Sequence, residues 1–361
     1  MEEQLKESPL LVSIQCITYN HESYIRHCLD GFVMQKTNFR FEVIVHDDAS
    51  TDNTVEIIRQ YVEKYPDIIK PIYEKENQYS KIGFDGIFRI MNEHSKGKYI
   101  AICEGDDCWT DPYKLQKQVD FLESHPDYIL SHSDIDHEFV GTGKIIHSLH
   151  KHYRNYNQLN KSWDKYKMVE LILAGKYSVQ TLSVCARKDD IIEIQNDQEI
   201  INAKLKMGDT PLWIELSQRG KFHYLKESTA TYHIIAESAT HSSNFSNVIC
   251  FYESCFKMVD LFGKRYKLTK NVTNSIKQQY ISFLLFDVYK TKRNFYNEVN
   301  EKIISGTKLS KGNSLLIKTL DYPTIIKTGI FYMLKLYYRI SHRIGFYKEK
   351  YLNWKSIKFF H

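Results

Sequence analysis

Through the first 135 residues, apolar positions switch between two spacings. Leu11–Thr18, Phe41–Val45, Ile68–Tyr73, Tyr99–Cys103 and Tyr128–Ser133 are short apolar runs of strand length. Between them lie segments with helical spacing. Tyr24–Gln35 repeats through Ile25, Leu29, Phe32 and Val33, and Thr54–Tyr65, Gly86–His94 and Lys114–Ser124 follow suit. Ser50, Thr51, Asp52 and Asn53 offer N-caps for the second of these helices. Pro71 in the third strand predicts an edge position, because proline has no N–H for a sheet ladder. Strands alternating with helices predict an α/β fold with a mostly parallel central sheet covered on both faces.

The pattern loosens after residue 136. Val179–Ala186 reads as a strand and Asp209–Gln218 as a helix, with Pro211 in its first turn. From Ser246 the chain becomes helical and polar-aromatic, with a boundary near residues 243–248. Residues 311–361 hold ten Lys/Arg against Asp321 and Glu349, so a net charge of +5 conceals a basic tail on a slightly acidic body. The acidic body and the lack of a recognised motif argue against nucleic acid as a partner. Ile325–Ile344 has an apolar face (Ile326, Ile330, Met333, Leu334, Tyr337) and a basic face (Lys327, Lys335, Arg339, Arg343). That suits an anionic membrane surface or packing on the body. The seven cysteines are odd in number and scattered without C-x-x-C, which predicts reduced thiols in a reducing, cytoplasmic compartment. The charged start Met1–Lys6 predicts no signal peptide, and no apolar run reaches the roughly 18 residues of a membrane span.

The chemistry concentrates at strand ends. Glu104-Gly105-Asp106-Asp107 follows the apolar run Tyr99–Cys103. Three carboxylates in four residues repel one another, and a hard cation such as Mg²⁺ or Mn²⁺, sharing its shell with phosphate oxygens, would relieve them. The carboxyl end of a strand in an open α/β sheet is where ligands bind. Thr18-Tyr19-Asn20 ends the first strand with a ring, a hydroxyl and an amide suited to a base. His46-Asp47-Asp48 ends the second. Asp209 opens a later helix, where an acid also serves as an ordinary cap.

Taken in order, these segments resemble the inverting family-2 glycosyltransferases with the GT-A nucleotide-diphosphosugar fold. The matching text is Val12–Asn20, Phe41–Asp52, Gly97–Asp107 and Gly208–Trp213. The resemblance covers residues 10–243. It implies a catalytic domain there, with a nucleotide-binding half at 10–135 and an acceptor half at 136–243, followed by a helical, basic region at 244–361. It also implies that Tyr19 stacks on the base, flanked by Thr18 and Asn20. Asp48 would bond the base edge, Glu104 and Asp106 would serve the ribose end, and Asp106 and Asp107 the metal. Asp209 would be the catalytic base. Two positions depart from the family. Glu104 stands where aspartate is usual. In Tyr232-His233-Ile234-Ile235, His233 and Ile235 stand where the family has arginine and histidine, so a histidine contact falls to His233 or His241.

The implied reaction is transfer of a sugar from a nucleotide-diphosphate donor to a saccharide or lipid-linked saccharide in surface polysaccharide synthesis. It would use Mn²⁺ or Mg²⁺ and work in the cytoplasm or against the inner face of the plasma membrane. The family implies uridine; the residues leave guanosine and thymidine open. Lys75, Lys81 and Arg89 are candidate diphosphate contacts. The changes at Glu104 and Ile235 also suit a protein that binds a sugar nucleotide without turning it over. A nucleotidyltransferase would need a glycine-rich loop after the first strand, and residues 17–26 contain no glycine.

Overall fold

The computed structural model describes residues 7–152, 159, 161, 163–235, 245–290 and 309–318. Nine strands form one sheet in the order β3-β2-β1-β4-β8-β6-β9-β5, with β7 paired to β6. The strands are β1 Leu10–Thr18, β2 Arg40–Asp47, β3 Ile69–Tyr73, β4 Tyr99–Ile102, β5 Cys108–Trp109, β6 Tyr128–Phe139, β7 Lys144–Ile146, β8 Cys185–Arg187 and β9 Lys221–Ile234. From β3 to β4 the pairing is parallel, and Pro71 lies in the edge strand, as its missing N–H requires. Beyond β4 the sheet is mixed. β8 runs antiparallel to both β4 and β6, β5 is antiparallel to β9, and β6 and β9 are parallel. The parallel character expected for the whole sheet therefore belongs to its first half.

The helices are α1 Ile25–Val33, α2 Thr54–Lys64, α3 Tyr79–His94, α4 Lys114–Ser124, α5 Lys165–Leu173, α6 Lys188–Gln195, α7 Gln198–Ala203, α8 Asp209–Arg219, α9 Phe245–Arg265, α10 Lys270–Lys290 and α11 Lys311–Lys318. β4 shows why two layers of helix are needed. Tyr99, Ala101 and Cys103 enter one buried cluster with Phe32 of α1 and Leu115 and Val119 of α4. Ile100 and Ile102 enter the other with Met91 of α3, Ile191 of α6 and Leu212 of α8. A strand buried on both faces reads as an unbroken apolar run. Polar side chains of β1 are bonded inside, Gln15 Nε2 donating to Asn92 Oδ1 at 2.8 Å and Ser13 Oγ to Glu42 Oε1 at 2.7 Å, while Gln15 Oε1 and Thr18 Oγ1 are buried without a hydrogen-bond partner among the described residues.

Three elements differ from expectation. Val179–Ala186 is a tight turn at Thr181–Ser183 followed by the short β8; Ser183 closes the turn by donating from N and Oγ to Gln180 O. α3 begins earlier than Gly86, at Tyr79, and breaks at Gly83, where φ is 67°. β6 runs on past Ser133, with the buried Asp134 accepting from the backbone N–H of His150 at 2.9 Å.

α9 ties the helical region to the rest. Its Met258, Val259 and Phe262 join the cluster of α8, while Ile249 and Tyr252 pack on Ile281 and Leu284 of α10. Arg265 pairs with Asp197, Glu199 and Glu215. The seven cysteines are all free. The segment 325–344 lies outside the described residues, among which no helix is long and apolar enough to cross a membrane.

Candidate active site

β1, β2 and β4 are parallel, so their carboxyl ends share one edge of the sheet, and backbone bonds fasten the loops there. Asp48 N donates to Thr18 O at 3.0 Å, and Gly105 N donates to Ile17 O at 2.8 Å. Gly105 must be glycine for this contact: a Cβ would meet the Thr18 side chain at 2.7 Å. Thr18 is buried beneath the acidic loop, while Tyr19 stands out with 44% of its surface exposed. Asn20 adopts a left-handed φ of 53°, and its Oδ1 accepts from Thr51 N at 2.8 Å, clamping the first loop to the second.

The second loop is more occupied than its sequence suggests. Asp47 accepts from Ser50 N at 3.0 Å. Asp48 is buried, and its two oxygens accept from Gln78 N at 2.6 Å and Tyr79 N at 3.1 Å. It caps α3, the role expected of its neighbours Ser50 and Asp52 toward α2. Of those, Asp52 does accept from Thr54 N at 3.0 Å.

The acidic loop is held from β9. Asp107 is buried and accepts from the backbone N–H of His233 at 2.9 Å. The His233 ring donates from Nδ1 to the Asp106 carbonyl at 2.5 Å, which fixes that nitrogen as the protonated one and leaves Nε2 3.5 Å from Glu138. The Asp106 carboxylate has neither a hydrogen bond nor a cation partner among the described residues. Burial, then the charge of Asp106, pushes the Glu104 carboxyl up to about 7. Burial, then Asp106 and Glu104, raises Asp107 well above the carboxylate range. His241 lies outside the described residues.

Asp209, about one hundred residues later, is brought to the same place. It starts α8 and lines a cleft with Phe84, Asp85, Ile102, Thr181 and Trp213. Thr210 N donates to its Oδ1 at 2.6 Å, burial raises its carboxyl, and its charge contributes to the rise at Glu104. Three neighbours were not anticipated. Asp85 packs so closely on Gly208 that a Cβ there would meet its Oδ1 at 2.4 Å. Thr181 interacts with the Asp209 carboxylate. His21 sits beside Gly105, its proton affinity lowered by burial against the opposing pull of Asp106. Only His21 carried a signal, its position directly after Tyr19-Asn20. Of the candidate diphosphate contacts, Lys81 pairs with Glu76, Lys75 is exposed, and Arg89 lies near Asp85.

Known proteins bear on this arrangement. Residues 13–185 match the model of glycosyl transferase family 2. Through that stretch the chain belongs to glycosyl transferase family 2. An uncharacterized protein of Mycobacterium tuberculosis is 35% identical over 232 residues, 64% of this chain and 61% of the relative, so the chain spans less than two thirds of that protein. The Escherichia coli enzyme WfaP, named as a UDP-Glc:α-D-GlcNAc-diphosphoundecaprenol β-1,3-glucosyltransferase, is 33% identical over 37% of this chain and 50% of its own length. The fold is that of Staphylococcus aureus TarS residues 1–349, solved in complex with UDP-GlcNAc. The TM-score is 0.57 at 16% identity, over 88% of this chain and 89% of that one. The family-2 match ends at residue 185, before Asp209 and His233, so those two rest on the geometry above.

Proposed function

We propose that this protein is an inverting glycosyltransferase that moves a sugar from a nucleotide-diphosphate donor to a hydroxyl of a saccharide or lipid-linked saccharide. The observation that carries the reading is the meeting of two carboxylate groups from distant parts of the chain, the loop 104–107 and Asp209, at one end of the sheet. The first suits a leaving group and the second an acceptor. A uridine donor and a lipid-linked acceptor are supported by the name of WfaP.

In this reading Tyr19 stacks on the base, and Thr18, Asn20 and Asp48 shape the loops around it. Glu104 and Asp106 face the ribose end. Asp209 takes the proton of the acceptor hydroxyl. A general base should be fixed in place yet free of a neutralising cation. Thr210 N–H fixes Asp209, no Lys or Arg pairs with it among the described residues, and burial strengthens it as a base. Attack from the face opposite the diphosphate inverts the anomeric carbon.

The donor set suits Mn²⁺ or Mg²⁺ held by Asp106 and Asp107, with His233 offering Nε2. No group of three metal-type side chains converges among the described residues. Mg²⁺ needs no such cage, since it takes one or two carboxylates and completes its shell with phosphate and water. Such a cation, when bound, offsets charge gathering on the diphosphate. We further place the protein in the cytoplasm, with the basic segment 325–344 against an anionic membrane that carries the acceptor.

The test is release of nucleoside diphosphate from a panel of nucleotide sugars with Mn²⁺, with and without chelator. Turnover of one donor, abolished by chelation, is the expected outcome. Tight nucleotide binding with no turnover of any donor or acceptor would sink the enzyme reading and leave a sugar-nucleotide-binding protein.

A further inference from the structure

Between the two halves of the site lies a lysine that the reaction does not use. Lys114 opens α4 and is 0% exposed. Its Nζ donates to Gln118 Oε1 at 2.8 Å and stands 4.1 Å from the centre of the Trp109 ring. One oxygen and one π-face are a thin shell for an amine, and burial pulls it down to about 8. An apolar side chain of similar length would avoid that desolvation. Stability alone therefore does not account for a lysine here.

Both partners of Lys114 grip the same three-residue turn. Trp109 Nε1 donates to Leu182 O at 2.7 Å. Gln118 Nε2 donates to Ser183 O at 2.8 Å and to Ser131 O at 3.1 Å. With both amide hydrogens engaged and its oxygen on Lys114, Gln118 has one workable orientation; flipped, its oxygen would face two carbonyls. The turn begins at Thr181, which shares the cleft with Asp209 and interacts with its carboxylate. At the other end, Trp109 follows Asp107 by two residues. A continuous path thus joins the acidic loop to the acid of α8 through Trp109, Lys114, Gln118 and Thr181.

The geometry points to Lys114 and Gln118 as positioning residues that set Asp209 through the turn at Thr181. This rests on the reading of Asp209 as the base. The groups acting on Asp209 are Thr210 within α8, Thr181 from the turn, Glu104 from the acidic loop and Asp85 from α3, with Arg89 acting on Asp85.

The experiment follows the Asp209 carboxyl by ¹³C NMR titration in the full metal-free chain. Gln118→Met keeps length and adds no charge but removes both donors; Thr181→Val removes the hydroxyl and Thr181→Ser restores it. Asp209 should titrate at least about half a pH unit higher in Gln118→Met and in Thr181→Val, no further in the double variant, and normally in Thr181→Ser. Lys114→Met should move it the same way; should that variant not fold, Gln118→Met decides. With a donor from the panel, kcat should fall at least about tenfold in Gln118→Met while donor KM stays within about twofold. A folded Gln118→Met with unchanged Asp209 titration and unchanged kcat overturns the proposal. A shifted titration in a protein that turns over no nucleotide sugar leaves the positioning path standing and removes the glycosyl-transfer reading.

Discussion

Replacing Glu104 with glutamine should stabilise the metal-free protein. No cation pairs with the Glu104 carboxylate among the described residues, and its own backbone N–H offsets only part of the cost of its charge; its carbonyl, which substitution leaves intact, accepts from Asp107 N at 3.1 Å. Its carboxyl rises from 4.5 to about 7, through burial first, then Asp106 and Asp209. At about 1.4 kcal/mol per pH unit this is a cost of about 3 kcal/mol for the ionised form. Glu104 keeps partial contact with solvent, which trims the figure to about 2 kcal/mol. The sign follows from linkage. A carboxyl raised in the folded state favours folding while protonated, and that benefit is lost as pH climbs from 4.5 through 7. The advantage of Glu104→Gln should therefore be small at pH 5, grow through pH 7 and level off by about pH 8. Urea unfolding with chelator present, at pH 5 and pH 8, measures it. A variant no more stable than the parent at pH 8, or equally advantaged at both pH values, would refute the claim that these carboxylates strain one another.

His233→Ala removes the ring that holds the Asp106 carbonyl but keeps the backbone N–H on Asp107. Mn²⁺-dependent binding of nucleoside diphosphate should weaken about tenfold by calorimetry; unchanged affinity would take His233 out of the site. Arg265→Met leaves Glu215 of α8 without its cation and should cost about 2 kcal/mol in denaturant unfolding. A change below about 0.5 kcal/mol would show that apolar packing alone holds α9 in place. Deleting residues 320–361 should release the protein from anionic vesicles without loss of donor binding. Undiminished vesicle binding would favour a tail that packs on the body.

Much of residues 10–135 was legible because the central strands there are buried on both faces. β1, β2 and β4 have few ways to sit other than in a covered parallel sheet, and α4 spans Lys114–Ser124 as its spacing predicts. Legibility failed where polar residues were buried with distant partners. β6 seemed to stop at Ser133 because Asp134 and His137 break the apolar run, yet Asp134 is matched inside by His150. The turn at Thr181–Ser183 resembled a strand because its residues are buried, but Trp109 and Gln118, some 65 to 73 positions away, hold it as a turn. In the site, the carboxylates of 104–107 announced themselves by charge, whereas Asp209 alone reads as an ordinary helix cap and stood out only through the family resemblance. Asp85, Thr181 and Lys114 did not, since each is ordinary in its own segment and acquires meaning only through packing. Asp48 shows the reverse: its strand-end position suggested a ligand contact, and in the fold both of its oxygens cap α3.

Asp209→Asn tests the central claim most directly. The amide keeps the shape and an oxygen for Thr210 N–H but accepts no proton. Donor affinity by calorimetry and transfer rate should be measured on the same preparation. The account predicts donor affinity within about twofold of the parent and transfer reduced by about three orders of magnitude. Transfer near the parent rate would contradict it and remove Asp209 as the base.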